Sequence, residues 1–497
     1  MTSIADAAGH LPKHLYRADQ VRAMDRYAID TLGVPGYVLM VNAGEAAYQL
    51  IRKTWPTGSH LGIVCGAGNN GGDGYVLAKK ALDSAMDVRL FGLAPLEHLQ
   101  GDALTAAESF VGAGGNVEEF TSGCLADCDI VVDGLLGTGL DRQVTGSYAD
   151  VIHEINHFSG KVLALDIPSG LHANTGCPMG LAVLADKTIS FIGLKQGLFT
   201  GEAADYCGEI HYSSLSVPDS ASTHQKPSAI LIRQEDIKFS QRKRCSHKGS
   251  FGHVLVIGGD FGYSGAIRLA GEAAARVGAG LVSIATRPEH AAATNLSRPE
   301  LMCHGVTTKA DVKRLLGKAS VVAIGPGLGQ SSWAKEILET AIGGAAPLVI
   351  DADALNLLAE FPQKCSRWVL TPHPGEAARL LECSVREVQS DRFKAIMELR
   401  NKFGGVCLLK GSGTLIAMEG SPIMVNPTGN PGMATGGMGD VLTGIIAGLI
   451  AQGFSLEDAA KTGAWLHGAA ADEASLQGER GLLPSDLFTP LRRLVNP

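Results

Sequence analysis

The residues of this chain best suited to proton chemistry are carboxylates set beside glycine-rich loops. In the first half, Asp133 opens Asp133-Gly134-Leu135-Leu136-Gly137-Thr138-Gly139, and Asp166 opens Asp166-Ile167-Pro168-Ser169-Gly170. Both follow apolar runs, and functional groups of an open parallel sheet gather at the carboxyl ends of its strands. Upstream, Gly66-Ala67-Gly68-Asn69-Asn70-Gly71-Gly72-Asp73-Gly74 spells GxGxxG between a strand pattern and a helix pattern. A dinucleotide fold also wants an acidic residue about 20 positions further on, for the ribose hydroxyls. That position falls in the apolar Leu90-Phe91-Gly92-Leu93. What remains is a loop of bare N–H groups at a helix N-terminus, suited to phosphate, with the side-chain oxygens of Asn69, Asn70 and Asp73. Asn70, Asp133 and Ser169 together offer neutral oxygens and a single carboxylate, a set suited to a hard cation such as K+, which leaves Asp166 free for proton chemistry. Each aspartate alone is equally a candidate helix cap or turn former. Three such clusters at successive strand ends favour a site.

In the second half no GxxxxGK[ST] occurs, which excludes a P-loop kinase. The densest cluster is Asn430-Pro431-Gly432-Met433-Ala434-Thr435-Gly436-Gly437-Met438-Gly439-Asp440, leading into an apolar helix pattern. Consecutive glycines at a helix start expose N–H groups to an anion, and a carboxylate beside such a hole is what a general base needs. As a first-turn residue Asp440 is equally a cap. Its surroundings tip the balance. Lys410-Gly411-Ser412-Gly413-Thr414 ends one strand pattern, Thr371-Pro372-His373-Pro374-Gly375-Glu376 another and Gly325-Pro326-Gly327-Leu328-Gly329 a third, while Tyr263-Ser264-Gly265-Ala266 begins a helix. The first of these supplies a cation, hydroxyls and pliant backbone for a nucleotide, and His373 is held rigidly between prolines.

The elements that must position these groups are legible as alternating short apolar runs and helical patterns. Arg17 to Leu32 carries Val21, Met24, Ala28 and Leu32 at helical spacing, and residues 61–66, 87–93, 129–137, 162–168 and 187–193 read as strands. Runs apolar on both faces belong to parallel sheets covered by helices. A polar stretch at 217–229 reads as a linker, followed by a basic run (Arg242, Lys243, Arg244, Lys248) best taken as a solvated face. Six further strand patterns then follow, from His253-Val254-Leu255-Val256-Ile257 to Val406-Cys407-Leu408-Leu409. The pattern predicts two α/β domains, 1–220 and 230–497. A chain of 497 residues, 45% hydrophobic and 19% charged, accommodates two such cores. Its 63 glycines fall mostly at strand-to-helix junctions, as phosphate loops and turns do. A net charge of −8 argues against nucleic acid as a partner, and no apolar run approaches membrane-spanning length. The ten cysteines show no CxxC pair and the N-terminus no apolar leader core, which predicts free thiols and a cytoplasmic setting.

GAGNNGGDG, VDGLLGTGL and LDIPSG together resemble the NAD(P)H-hydrate epimerase family over residues 16–215. The resemblance implies a Rossmann-like three-layer first domain that interconverts the R and S hydroxyl configurations at ring carbon six. Asn69, Asn70, Gly71, Gly72 and Asp73, with Gly137, Thr138, Gly139, Leu140, Asp141, Arg142 and Gln143, would bind the hydrated cofactor. It further implies that Asp166 sits at the nicotinamide ring as acid/base and that Asn70, Asp133 and Ser169 hold K+. IGPGLG, TPHPGEAARL, LKGSGT and GMATGGMGD resemble the NAD(P)H-hydrate dehydratase family of the ribokinase-like fold over about residues 230–495. That implies Lys410, Gly411, Ser412, Gly413, Thr414 and Gly439 at ADP, brought in with Mg2+, and Ala266, Gly327, His373 and Asp440 at the hydrate. Ser412 and Gly437 depart from that pattern, standing where it has alanine. The combined expectation is epimerisation of NADH and NADPH hydrates followed by ADP-dependent dehydration of the S form. A vitamin-precursor kinase carrying a non-catalytic first domain is the alternative. Oligomeric state is not written in the sequence, so a homo-oligomer stays open.

Overall fold

A computed structural model describes residues 11–496 apart from Ser59, Asp219, Ser222, Thr223 and Ser297. Residues 1–10, half of the stretch read for a leader core, and three positions of the 217–229 linker therefore lie outside the described residues. The chain forms two compact units that meet in sequence at Ile230 and Leu231.

The first unit holds a sheet of seven parallel strands: β1 (His60–Cys65), β2 (Asp87–Gly92), β3 (Val117–Glu119), β4 (Ile130–Gly134), β5 (Lys161–Leu165), β6 (Lys187–Phe191) and β7 (Glu209–Ser213). Their order is β3-β2-β1-β4-β5-β6-β7. Alternate residues feed two cores: Leu61, Ile63, Leu163 and Leu165 pack on one face, Val64, Phe91, Val131 and Val162 on the other. Helices α1 (Ala18–Asp30), α2 (Gly36–Thr54), α3 (Asn69–Asp83) and α4 (Gly101–Gly112) contribute to the first core, and α5 (Ser147–His157) to the second. Helix α1 forms because Val21, Met24 and Ala28 make one buried stripe, and the Gln20 side chain accepts the Arg17 N–H at its start. The strand order reverses between β1 and β4, so the loops after them diverge into a crevice. Gly66 follows β1 and Gly134 ends β4, and the backbone of Leu135 lies so close to Gly66 that no side chain fits there.

The second unit repeats the plan with β8 (His253–Ile257), β9 (Leu281–Thr286), β10 (Met302–Gly305), β11 (Val321–Ile324), β12 (Leu348–Ile350), β13 (Trp368–Leu370), β14 (Val406–Leu409), β15 (Thr414–Ala417) and β16 (Ile423–Asn426). The order is β10-β9-β8-β11-β12-β13-β14-β15-β16, parallel as far as β14 and antiparallel beyond it. The order reverses between β8 and β11. Helix α6 (Ser264–Val277) follows β8, and α9 (Met438–Ala451) lies along it, after α7 (Pro374–Leu381) and α8 (Arg392–Phe403). Glycine makes that contact: a Cβ on Gly444 would strike the Ala270 carbonyl, and one on Gly448 would lie 2.8 Å from the Ala274 carbonyl oxygen. The strand runs read from the sequence are all present. Absent from that reading are β3, β7, β10 and the β15–β16 hairpin, which are short or partly polar. None of the ten cysteines is in a disulfide, and no described helix is long and apolar enough to cross a membrane. Arg242, read as solvated, stacks 3.7 Å from the Phe251 ring centroid and donates to the Gly278 carbonyl and Gln452 Oε1.

Candidate active sites at two sheet switch points

In the first unit a cavity of about 610 Å³ opens over the β1 and β4 strand ends. Asn69, Asn70 and Asp73 reach it from the first turns of α3, the 137–142 loop from beyond β4, and Asp166 from the end of β5. Gly71, Gly72 and Gln143 do not line it. The two glycines instead leave room for the Gly66 carbonyl and the Met40 side chain, and Gln143 lies beside Gly180. The backbone at Asp166 is left-handed (φ 62°), as it is at Ile192 (φ 61°) and Leu215 (φ 54°), all three in the cavity wall. Such strain persists only where surrounding contacts over-determine it, and it concentrates at functional sites.

Asn70, Asp133 and Ser169 converge on the turn after β4. Asp133 Oδ1 accepts from Ser169 Oγ (2.5 Å) and Oδ2 from the Ser169 N–H (2.8 Å). The Leu136 N–H donates to Ser169 Oγ (2.8 Å), while Asn70 Nδ2 donates to the Leu136 carbonyl (3.1 Å). Burial pushes Asp133 up to about 6, against the hydrogen bonds from Ser169. Asn70 Oδ1 is buried without a hydrogen-bond partner. With the Ser169 hydroxyl and the Asp133 carboxylate it forms an all-oxygen group of the kind that suits a hard cation. The described residues hold no cluster of three His, Cys, Asp or Glu, the kind a transition metal would use.

Three groups that sequence reasoning missed complete this cavity. Lys195, 1% exposed, puts its ammonium on Asp166 Oδ1 and also donates to Ser190 Oγ and the Phe191 carbonyl (both 3.1 Å). Asp25, on α1, lines the same cavity. Burial pushes its carboxyl up to about 6, opposed by Lys195 and reinforced by Asp166. Arg22, one turn earlier, reaches the Thr138 carbonyl (3.4 Å). Asp73 is held well above the usual carboxylate range by burial and then by Asp166 and Asp25.

The second unit centres on a half-buried lysine. Lys410 Nζ donates to Asp351 Oδ1 (2.7 Å) and lies 3.8 Å from Glu376 Oε2, while Thr443 Oγ1 donates to Asp351 Oδ2 (2.7 Å). Burial opposes its charge, but Asp351 and Glu376 outweigh that and raise its proton affinity. Asp440, half-buried in the first turn of α9, has no such clamp. Burial, then the Asp351 carboxylate, push it up to about 7 against the pull of Lys410. Gly439 sits over the ion pair, where a Cβ would come within 3.2 Å of Lys410 Nζ. His373 caps α7, its Nδ1 accepting the Gly375 N–H (2.9 Å), and burial lowers its affinity for a proton. Ala266 and Gly327 are neighbours: a Cβ on Gly327 would stand 3.5 Å from that of Ala266. The Gly411 and Gly413 backbones are left-handed (φ 135° and 60°), and buried Arg392 braces their loop by donating to the Leu409 and Lys410 carbonyls (3.2 Å each). Gly437, where the resemblance has alanine, is also left-handed (φ 97°), with Leu269 and Pro484 filling the space a Cβ would take. Asp351, Glu376, Arg392 and the buried His467, pushed down to about 4 by burial and Lys410, had no role in the sequence reading. The Asp-Ala-Asp after β12, with Ala352 left-handed (φ 48°), was the one available signal for Asp351.

The family model for the YjeF-related protein N-terminus matches residues 36–197, and the model for NAD(P)H-hydrate dehydratase matches residues 254–493. Among curated proteins, the bifunctional NAD(P)H-hydrate repair enzyme of Coxiella burnetii is 48% identical over 486 residues, covering 97% of this chain and 99% of that protein. The Escherichia coli enzyme of the same description is 45% identical over 490 residues, covering 98% of this chain and 95% of that protein. Among solved structures, a ribokinase-like superfamily protein of Enterococcus faecalis superposes with TM-score 0.50 at 29% identity, covering 55% of this chain and 96% of that one. Two switch-point sites, each with its own carboxylates and a lysine paired to one of them, thus lie in two halves matched along nearly their whole length: this chain belongs to the bifunctional NAD(P)H-hydrate repair enzymes.

Proposed function

We propose that the first unit epimerises the (6R) and (6S) hydrates of NADH and NADPH and that the second dehydrates the S form with ADP, returning the intact cofactor. The observation that carries this reading is the presence of two complete, differently charged carboxylate sites in one chain. Either alone would leave one hydrate isomer or one step unserved. In the first site the N-terminus of α3 and the 137–142 loop take the phosphate-bearing part of the hydrate, with Arg22 and Arg142 as nearby cations. A cavity of about 610 Å³ admits the nicotinamide end. Loss of hydroxide from ring carbon six, assisted by the ring nitrogen, leaves a cationic ring. The Asp166 carboxylate, held in place by its ion pair with Lys195, faces that charge.

K+ fits the Asn70, Asp133 and Ser169 oxygens. Bound there, it supplies a fixed positive charge behind the loop that holds the substrate. In the second site the 410–414 loop and Gly439 take ADP, while Ala266, Gly327, His373 and Asp440 take the hydrate. Asp440, unclamped and poised near neutrality, handles the proton of the water that leaves. Asp351 and Glu376 are already committed to Lys410 and to backbone, so these residues do not form a Mg2+ site in advance, and Mg2+ is read as arriving on the nucleotide phosphates. The setting is read as cytoplasmic, without nucleic acid.

The test supplies single-epimer hydrates with ADP and follows recovery of the near-ultraviolet absorbance of the reduced nicotinamide. Both epimers are recovered fully if the reading holds. Robust phosphate transfer to an added alcohol, with no recovery, overturns it.

A further inference from the structure

The first cavity holds an ionisable group that its assigned chemistry leaves idle. Asp166 is tied to the Lys195 ammonium, and a carboxylate so paired has no proton of its own to give. Expulsion of hydroxide from carbon six is costly unless the oxygen is protonated as it leaves. Asp25 comes from a different element than Asp166, half-buried on α1, and lines the same cavity. Lys195, Asp166 and Asp73 are its electrostatic neighbours, while Arg22 on its own helix, Asp102 on α4 and Arg142 in the 137–142 loop share the cavity wall.

We propose that Asp25 is a second catalytic residue of the epimerase site, the acid that protonates the departing hydroxyl and the base that deprotonates the returning water. The proposal rests on the epimerase reading of this cavity. In the forward step the Asp25 carboxyl gives its proton to the hydroxyl oxygen. The carbon–oxygen bond breaks with its electron pair going to oxygen, and the ring-nitrogen lone pair forms a double bond to carbon six. Water leaves, and the cationic ring faces the carboxylates that line the cavity. In the return step water adds to the other face of carbon six, the electron pair goes back to nitrogen, and the proton released goes to the Asp25 carboxylate, which regains the carboxyl it began with. Atoms and charge balance over the cycle without an outside reagent.

Asp73 is a poorer candidate. Burial, Asp166 and Asp25 all raise its affinity for a proton and so oppose the release that an acid must make, whereas Asp25, near 6, can both give and regain one.

The experiment follows conversion of the pure R hydrate to S across mildly acidic to alkaline pH, against the uncatalysed rate, for the parent chain, Asp25→Asn and Asp25→Glu. Asn is isosteric and removes a buried carboxyl, so the unfolding midpoint should not fall. The expected result for Asp25→Asn is a kcat lower by about 10²–10⁴-fold with KM little changed. The parent's decline in rate with rising pH is absent from Asp25→Asn and partly restored in Asp25→Glu. A raised KM with kcat retained would make Asp25 a ribose-binding group and overturn the proposal, as would a lowered kcat with the parental pH profile. If the parent chain itself fails to accelerate epimerisation, the epimerase reading fails and Asp25 with it. If Asp166→Ala is inactive while Asp25→Asn is fully active, only the Asp25 proposal falls.

Discussion

The two sites are built from the same parts and charged in opposite ways. Each lies where strand order reverses, each opens on a glycine-edged helix start, and each sets one lysine among carboxylates. In the first site the lysine clamps the catalytic candidate itself, so Asp166 is presented as an anion. In the second, Lys410 clamps Asp351, and Asp440 is left as the carboxyl whose proton is loosely held near neutrality. The choice of partner for one lysine thus decides whether a neighbouring carboxylate stabilises positive charge or moves protons. An anion suits a reaction that passes through a cationic ring, and a carboxyl near 7 suits one that must expel water.

The sharpest way to break this comparison is to remove the two carboxylates in turn. Asp440→Ala is expected to lower dehydration of the S hydrate by about 10²–10⁴-fold, and Asp166→Ala to lower R-to-S conversion by a similar factor. Each is read by supplying the single epimer that isolates the step. A variant that impaired both steps equally would mean that the two sites are not separate.

The next largest effect should come from the lysines. Lys195→Met leaves half-buried Asp166, and Lys410→Met buried Asp351, without a counter-charge, a loss of up to about 3–5 kcal/mol in unfolding free energy. Denaturant titration of each variant measures it. Equal losses would show the clamps to be equivalent in stability although different in chemistry.

Asp440 gives the smallest effect and a signed one. Its proton is held more tightly in the folded chain, about 7 against an ordinary 3.8. Folding therefore binds protons between those values, and stability falls as pH rises through them. Asp440→Asn should gain stability on the order of 2–4 kcal/mol at alkaline pH and nothing below the ordinary value. A gain that did not vary with pH would place the effect in packing.

Much of this was legible in the sequence, for identifiable reasons. Strands buried on both faces read as continuous apolar runs, and Asp133, Asp166 and Asp440 stood out because glycines punctuate the chain around them. Asp25 and Lys195 carry no such mark. Asp25 is one polar position on an amphipathic helix whose visible pattern is its buried stripe, and Lys195 sits in the two-residue strand Leu194–Lys195, in a stretch that spells nothing. They matter only because folding brings α1 and the end of β6 to the crevice between β1 and β4, a proximity that no local spacing encodes. Asp351 lay in view at a strand end, but its use depends on Lys410, 59 positions away.

The glycine contact between α6 and α9 has a consequence for how the second site could be altered. The two helices run in the same direction, Gly437 lying against Leu269 and Gly448 against Ala274 and Val277. Ala266 and Asp440 therefore sit at the starts of two rods locked backbone to backbone, and the distance between them works as a fixed gauge. A relative with a taste for a longer or shorter ligand would have to find its slack in the 325–329 and 410–414 loops, because lengthening the gauge would require prising the rods apart along their whole seam.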